Sequence, residues 1–380
     1  MIEVPHALDV DVAVVGAGPA GAATARRLAL QGWTVALIER SRFEIPRVGE
    51  SLAPAVQPLL VELGVWGAFL SLRPLPSYGT RALWGDATPV IHSHVVSPWG
   101  CGWHVDRCAF DRMLAEAAQR AGASLFDGTT CVSCTHTSEA WKLTLRAREE
   151  NRGGRAWQLR SRVLIDATGR SARLAPWTGA SRALLDHLVG IATLFDRIDT
   201  ASNGHVMVET AADGWWYSAP VRDGRMMAML MTDGDLCGRA ELSSRPVWQE
   251  HLQAADATHS RLASATAVWG PRVFCALSQR LRRKDWRLPW LAVGDAALAV
   301  DPISGSGVVR ALSTARAAAE SVVALLEGRA QGAIEDYESD RDRECTSYLH
   351  ERAAYYGIEQ RWQQSAFWQR RAVAAAHAAC

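Results

Sequence analysis

The sequence predicts an α/β fold in which a parallel-sheet domain, opened by one β-α-β unit, is interleaved with an antiparallel sheet layer and followed by a helical C-terminal tail. Three observations predict it. A valine-rich run over residues 9–15 ends at Gly16, small helix-forming residues follow from Ala20 to Leu30, and "WTVALIE" at 33–39 reads as the next strand. Between about Arg173 and Leu281 the strand-like runs "HLVGIATLFD", "HVMVET", "GWWYSAPV" and "RMMAMLMTD" recur, which describes an antiparallel second layer. Finally "LPWLAVGD" returns the chain to the first domain, "VVRALSTARAAAESVVALL" forms a long helix, and the tail from about Ala333 is helical.

The intervening elements follow the same rules. "APAVQPLLVELGV" is helical from Ala55, while "YGTRALWG" and "PVIHSHVV" alternate as half-exposed strands, so the chain leaves the first domain by Leu75. "DRCAFDRMLAEAAQRAGA" is an amphipathic helix, N-capped by Asp106, with Phe110, Met113, Leu114 and Ala117 on one face. "WKLTLRAR" and "AWQLRSR" form a hairpin across "NRGG", and "VLIDATG" at 163–169 is a buried strand ending in a glycine turn.

Composition excludes several function classes. The chain has 380 residues, 48% hydrophobic and 21% charged, and a net charge of +1. That balance leaves no electrostatic footprint for nucleic acid or an anionic membrane, so a partner is recognised by shape. The first residues show no basic leader with an apolar run, and no stretch nears the roughly eighteen apolar residues of a membrane span, so the expected location is cytoplasmic. Eight cysteines at irregular spacing suit a reducing compartment. Cys131 and Cys134 in "CVSC" have no second matching pair, so no metal site is expected. No internal repeat is present.

Two glycine clusters carry the chemistry. "VAVVGAGPAG" matches G-x-G-x-x-G between a strand and a helix: Gly16 permits the tight turn, Gly18 lets backbone approach a pyrophosphate, and Gly21 allows close helix-strand packing. Pro19 and Ala20 open the helix whose amides face the phosphates. Glu39, 23 residues after Gly16, ends the second strand where an acid binds ribose hydroxyls, and it argues against a 2′-phosphate. This leaves NAD and FAD open. The second cluster, "GDAALAVDPISGSG" at 294–307, follows a strand ending at Val293. It offers Gly294 and Asp295 for a ribityl hydroxyl, a loop with Pro302 and Gly305, and a helix starting near Gly307 whose amides can face the reducible edge of a flavin, where negative charge accumulates. A cofactor long enough to touch both clusters is FAD.

With these residues in place, the chain resembles the FAD-dependent monooxygenases of the p-hydroxybenzoate-hydroxylase type, through "GAGPAG", Glu39 with Arg40, "DRCAFDRML", "DATG" and "GDAALAVDP". The resemblance implies a Rossmann-like FAD-binding domain (1–74, 101–172 and 282–330) interleaved with an antiparallel-sheet substrate domain (75–100 and 173–281) and a C-terminal helical segment (331–380). Within that superfamily "PRVGES" and "DGWWYSAP" look like the tryptophan-halogenase branch. The resemblance places Arg47 beside the pyrophosphate, Gly49 to Ser51 near the flavin and Arg107 at the adenosine half.

A halogenase needs a lysine that carries the halogen, and by resemblance it falls within "PSYGTRALWG". The sequence has only Lys142 and Lys284, and Arg81 stays protonated. The expected chemistry is therefore oxygen transfer to an electron-rich aromatic ring through a flavin C4a-hydroperoxide, with O2 as oxidant and NAD(P)H or a separate flavin reductase supplying electrons. A flavin-dependent halogenase and an FAD-dependent reductase of an isoprenoid-like substrate stand as alternatives. Trp84, Trp215 and Trp216 are the candidate substrate contacts. Adjacent strand residues face opposite sides, so only one of Trp215 and Trp216 points inward, and both serve equally well as sheet core. Glu50 and Tyr217 are the candidate bases, while His92, His94 and His104 read as structural histidines. "GWHVDRCAFDRML", "GWWYSAPVRDGRMMAMLMTD" and "ERAAYYGIEQRWQQSAFWQRR" further resemble flavoproteins that hydroxylate a tryptophan side chain within a polypeptide during quinone-cofactor maturation. That resemblance implies an aromatic small molecule or a tryptophan-containing peptide or protein as partner.

Overall fold

The computed structural model describes residues 7–148, 153–196, 204–236, 243–329 and 332–378. Its first sheet runs Ser124–Phe126, Val35–Ile38, Ala7–Val15, Gly153–Asp166, Trp141–Arg148, Thr129–His136, and Trp290–Ala292 also pairs with Gly153–Asp166. Ala7–Val15 lies parallel to both Val35–Ile38 and Gly153–Asp166, whereas the hairpin strands are antiparallel. The helices Pro19–Leu30, Arg107–Arg120 and Gly307–Leu326 cover one face of it. Ala22, Ala23 and Ala25 are fully buried there, and their small side chains let the first helix pack close to the sheet. Asp106 caps the second helix by accepting from the Ala109 amide at 3.0 Å.

One expected boundary disappears. "AWQLRSR" and "VLIDATG" are a single strand, Gly153–Asp166, whose first half pairs antiparallel with Trp141–Arg148 and whose last three residues pair parallel with Trp290–Ala292. The sequence pattern changes at Val163 because the strand passes from a stretch with one exposed face into a region buried on both faces, not because the backbone turns.

The second sheet runs Thr266–Ala267, Leu188–Asp196, Arg225–Asp233, Gly214–Val221, His205–Ala211, Gly79–Leu83, Val90–Ser93, with Arg272–Cys275 also on Leu188–Asp196. All of its pairings are antiparallel except His205–Ala211 with Gly79–Leu83. Two helices absent from the sequence reading, Arg245–Gln253 and Asp256–Leu262, cover its outer face, where Trp248 stacks on Phe195 and meets Trp216 edge-on. Its inner face carries Trp84, Trp215, Met227, Met229 and Met231, packed against Tyr356, Phe367 and Trp368 of the tail helices Ala333–Gly357 and Ala366–Ala378. The tail is tied down by Arg371, which donates to both oxygens of the buried Asp233 at 2.8 and 3.1 Å, and by the Trp368 indole on the Ala211 carbonyl at 2.9 Å. The Tyr356, Phe367 and Trp368 side chains thus cover the core. A small sheet, Ser51–Leu52, Gly102–His104 and Leu75–Ser77, bridges the two large ones.

Candidate functional site

The first glycine turn is shaped by contacts no other residue tolerates. Gly16 has φ +107°, and a Cβ there would lie 2.2 Å from the Ala167 carbonyl oxygen; a Cβ on Gly21 would lie 1.9 Å from the Gly16 carbonyl. Gly18 differs. Its backbone is extended, at φ −70°, and a Cβ would meet nothing within 4 Å. Gly18 therefore borders open space at the start of the Pro19–Leu30 helix, where the amides and dipole favour a phosphate. An open cradle beside a closed turn is what a pyrophosphate requires.

The second cluster is brought against the first. Gly294, at φ +57°, comes so near Ala20 that a Cβ would sit 2.8 Å from the alanine methyl. The Val293 amide donates to the Asp166 carbonyl at 2.9 Å, linking "DATG" to the same corner. Asp166 is itself fully buried, with its Oδ1 accepting from the Thr168 amide and hydroxyl and its Oδ2 from the Leu174 amide. Asp295 stays half-exposed and is oriented by the Arg170 Nε at 3.3 Å. Arg170 also donates to the Ala276, Leu277 and Val300 carbonyls, so it pins the segment after Arg272–Cys275 to the second cluster. Beyond it, Asp301 caps the turn Pro302–Ser304, Gly305 adopts φ +59°, and the long helix begins at Gly307. A Cβ on Gly305 or Gly307 would meet nothing within 4 Å, so this loop also borders open space.

Glu39 is buried at the end of the second strand. Its Oε2 accepts from the Ala17 amide at 2.9 Å, and its Oε1 from the Ser41 amide and hydroxyl and from Arg47 Nη2 at 3.0 Å. Burial alone would raise this carboxyl; the Ser41 hydroxyl, the Arg47 charge and the two amides outweigh it and hold the group below the ordinary glutamate range. Arg47 reaches back to Asp111 at 2.7 Å, and Arg107 grips Asp111 through Nε and Nη2 while its Nη1 donates to the Val48 and Gly49 carbonyls at 3.0 and 3.3 Å. The chain Glu39, Arg47, Asp111, Arg107 thus ties the end of the second strand to the Gly49 loop. Arg40 is exposed beside it and takes no part in these bonds.

Sequence reasoning missed Asp111 and Arg170. Asp111 is 0% exposed on the apolar face of its helix, next to Phe110 and four residues after Arg107; an acid at a core position was the available signal. Arg170 had no comparable signal beyond its place after the "DATG" turn.

Facing the second sheet, Glu50 is buried, with Oε2 accepting from the Gly49 amide at 3.0 Å. Burial pushes its carboxyl up, and the Tyr217 phenol lies near enough to couple to it. Tyr217 is likewise pushed well up, by burial first and then by the Glu50 charge, and it also interacts with Ser51. Ser51 pairs in register with His104, whose ring is buried. Burial lowers that imidazole to about 4, outweighing the Gly204 backbone contact that favours the charged form, so it is neutral at pH 7. His94, in contrast, uses Nδ1 at 3.0 Å from the Ser77 carbonyl, and His92 is exposed on Val90–Ser93.

The three tryptophans do not come together. Trp84 and Trp215 meet edge-on at 6.2 Å on the inner face, their indole N–H groups donating to the Tyr355 carbonyl and the Tyr356 hydroxyl. Trp216 is on the outer face with Trp248, a correction to its grouping with substrate contacts that follows from strand alternation. Cys131 and Cys134 are buried free thiols; burial raises Cys131 to about 12 and Cys134 further still. Among the described residues no helix is long and apolar enough to cross a membrane.

Comparison with known proteins agrees with this geometry. The chain is 29% identical over 369 residues to LodB of Marinomonas mediterranea, named as an FAD-dependent oxidoreductase, covering 95% of this chain and 96% of that one. Its fold matches the myxobacterial chondrochloren halogenase CndH with a TM-score of 0.86 at 24% identity, over 96% of this chain and 86% of the other. It also matches the peptidyl tryptophan dihydroxylase QhpG, essential for tryptophylquinone cofactor biogenesis, with a TM-score of 0.75 at 26% identity, over 96% and 78% of the two chains. The sequence model of the FAD binding domain family matches residues 9–351, and the chain belongs to that family as an FAD-dependent enzyme.

Proposed function

We propose that this enzyme is a monooxygenase that hydroxylates an electron-rich aromatic ring, an indole or a tryptophan side chain held in a peptide or protein. One atom of O2 replaces a ring hydrogen, the other leaves as water, and NAD(P)H, directly or through a separate flavin reductase, provides the two electrons. Bound FAD supplies the oxygen activation. Gly16, Gly18, Pro19, Ala20 and Gly21 would hold its pyrophosphate, Glu39 with Arg47 its ribose, and Gly294, Asp295, Pro302, Gly305 and Gly307 its flavin half, with Ser51 and Arg107 supporting the facing loop.

The observation that carries this reading is the surface both loops meet. Val48 from the Gly49 loop and Ile303 from the Pro302 turn pack on the inner face of the second sheet, among Trp84, Trp215, Tyr217 and three methionines. That face is apolar and aromatic and has no lysine, which suits an intermediate that survives only away from water. Lys142 lies on the hairpin strand Trp141–Arg148 of the other sheet and Lys284 is exposed before Trp290–Ala292, so a halogen carrier is missing where one would be needed. Glu50, whose carboxyl is pushed up by burial, can move a proton, with Tyr217 beside it. The similarity to QhpG favours a peptidyl tryptophan over a free indole.

The test is mass spectrometry of reactions containing FAD, NAD(P)H and, separately, a flavin reductase, with free tryptophan, indole or tryptophan-containing peptides, each with and without chloride. An added oxygen mass is the expected result. A chlorine isotope pattern, or turnover of an isoprenoid without oxygen uptake, would refute the assignment.

A further inference from the structure

Two phenols of one tail helix hold a single residue of the second glycine cluster. Asp301 is 1% exposed. Its backbone amide donates to the Tyr348 hydroxyl at 3.0 Å, and its Oδ2 accepts from the Tyr356 hydroxyl at 2.7 Å, while Oδ1 accepts from the Ile303 amide and so shapes the turn Pro302–Ser304. Tyr348 and Tyr356 are eight residues apart in Ala333–Gly357, a little over two turns, which puts both on one helix face. Each phenol is itself fixed from behind. The Tyr348 hydroxyl bonds Ser278 Oγ at 2.6 Å, and the Tyr356 hydroxyl accepts from the Trp215 indole at 2.9 Å, on the inner face of the second sheet. Arg371 lies over the Tyr356 ring at 5.0 Å, and Arg352 lies over that of Tyr348 at 5.4 Å.

Covering a core needs no such arrangement: phenylalanines would fill the same volume without burying two hydroxyls. A buried hydroxyl is tolerated only when its bonds are made, and here they converge on the turn whose following amides border open space.

We propose that Tyr356 and Tyr348 are positioning residues for the flavin-edge loop, and that through them the C-terminal helix sets how strongly that loop's amides favour reduced over oxidised FAD. The inference rests on the proposed placement of the flavin half at Pro302, Gly305 and Gly307. It also makes Trp215 a link between the substrate face and the loop, since its indole bonds the phenol that bonds Asp301.

The experiment is the midpoint potential of bound FAD in the full-length Tyr356→Phe and Tyr348→Phe variants, titrated against a reference dye, with the visible flavin spectrum recorded alongside. Phenylalanine keeps the ring packing and removes only the hydroxyl. Each variant is expected to shift the reduced-to-oxidised equilibrium about tenfold toward oxidised FAD, about 30 mV more negative for a two-electron couple. Tyr355→Phe, which alters the neighbouring side chain whose ring lies tilted against Trp84 at 4.6 Å, is expected to leave the potential unchanged. Shifts below threefold in both variants, or an equal shift in Tyr355→Phe, would overturn the positioning role. If one variant fails to fold, the other carries the test. Wild-type protein that takes up no flavin would overturn the cofactor placement as well, whereas flavin-loaded variants with wild-type potentials would overturn the positioning role alone.

Discussion

Adding one methyl group at Gly18 or at Gly21 separates the fold from the cofactor. At Gly21 the new Cβ would meet the Gly16 carbonyl oxygen at 1.9 Å and the Ala167 methyl at 2.8 Å, both on rigid neighbours, so the helix must move off the sheet. Overpacking of this kind costs about 1–3 kcal/mol, and a backbone oxygen as the obstacle argues for the upper end. At Gly18 the Cβ has nothing within 4 Å, and φ −70° with ψ −178° is open to alanine. Losing a glycine N-cap costs a few tenths to about 1 kcal/mol, while stiffening the unfolded chain gains about 0.4–1 kcal/mol, so flavin-free stability should stay within about 0.5 kcal/mol of wild type. The methyl does occupy the space through which backbone approaches a pyrophosphate, and FAD affinity should drop at least tenfold, about 1.4 kcal/mol. Urea unfolding of flavin-free protein and fluorescence titration with FAD measure the two quantities separately. If Gly18→Ala were as unstable as Gly21→Ala, or bound FAD like wild type, the open cradle would not be the phosphate site.

Other outcomes follow from the buried charges. Asp111→Ala leaves Arg47 and Arg107 without their shared acceptor, and breaking a buried pair from one side costs about 3–5 kcal/mol; because Arg47 keeps Glu39 and is a quarter exposed, about 3 kcal/mol is expected in urea unfolding, and a loss under 1 kcal/mol would show the network to be ornamental. His104 is depressed from 6.5 to about 4 by burial, so the folded protein resists a proton that the unfolded chain accepts; its contribution is complete above pH 6.5 and declines by about 3 kcal/mol as pH falls to 4. His104→Leu should flatten the stability profile in that window, and an unchanged slope would place the titration elsewhere. Glu39 runs lower than an ordinary glutamate, so its contribution is present above the unfolded value and fades as pH falls through the folded one; Glu39→Gln should weaken acid sensitivity below pH 5 and reduce FAD affinity, read by the same titration.

What could be read from the chain alone was whatever depends on residues close together in it. The Gly16 to Gly21 turn, the Asp106 cap and the strand leading into Gly294 are local, because glycine conformations, caps and hydrophobic periods act over a few positions. The α/β class followed from those units. The strand Gly153–Asp166 was divided because periodicity reports burial, and burial changes midway along it. Side assignments were half legible: alternation required Trp215 and Trp216 to part, but only packing decided that Trp215 faces the tail and Trp216 the outer helices.

Only the tertiary structure decided the partners of charged and polar groups. Arg47 finds Asp111, Arg170 finds the carbonyls of Ala276 and Val300, and Asp301 finds Tyr348 and Tyr356, each across a separation in sequence that no local pattern spans. A buried donor must be paired somewhere, yet its chemistry does not name the residue that pairs it; that choice belongs to the chain topology, which also brings Gly294 against Ala20 and joins two glycine clusters at one corner.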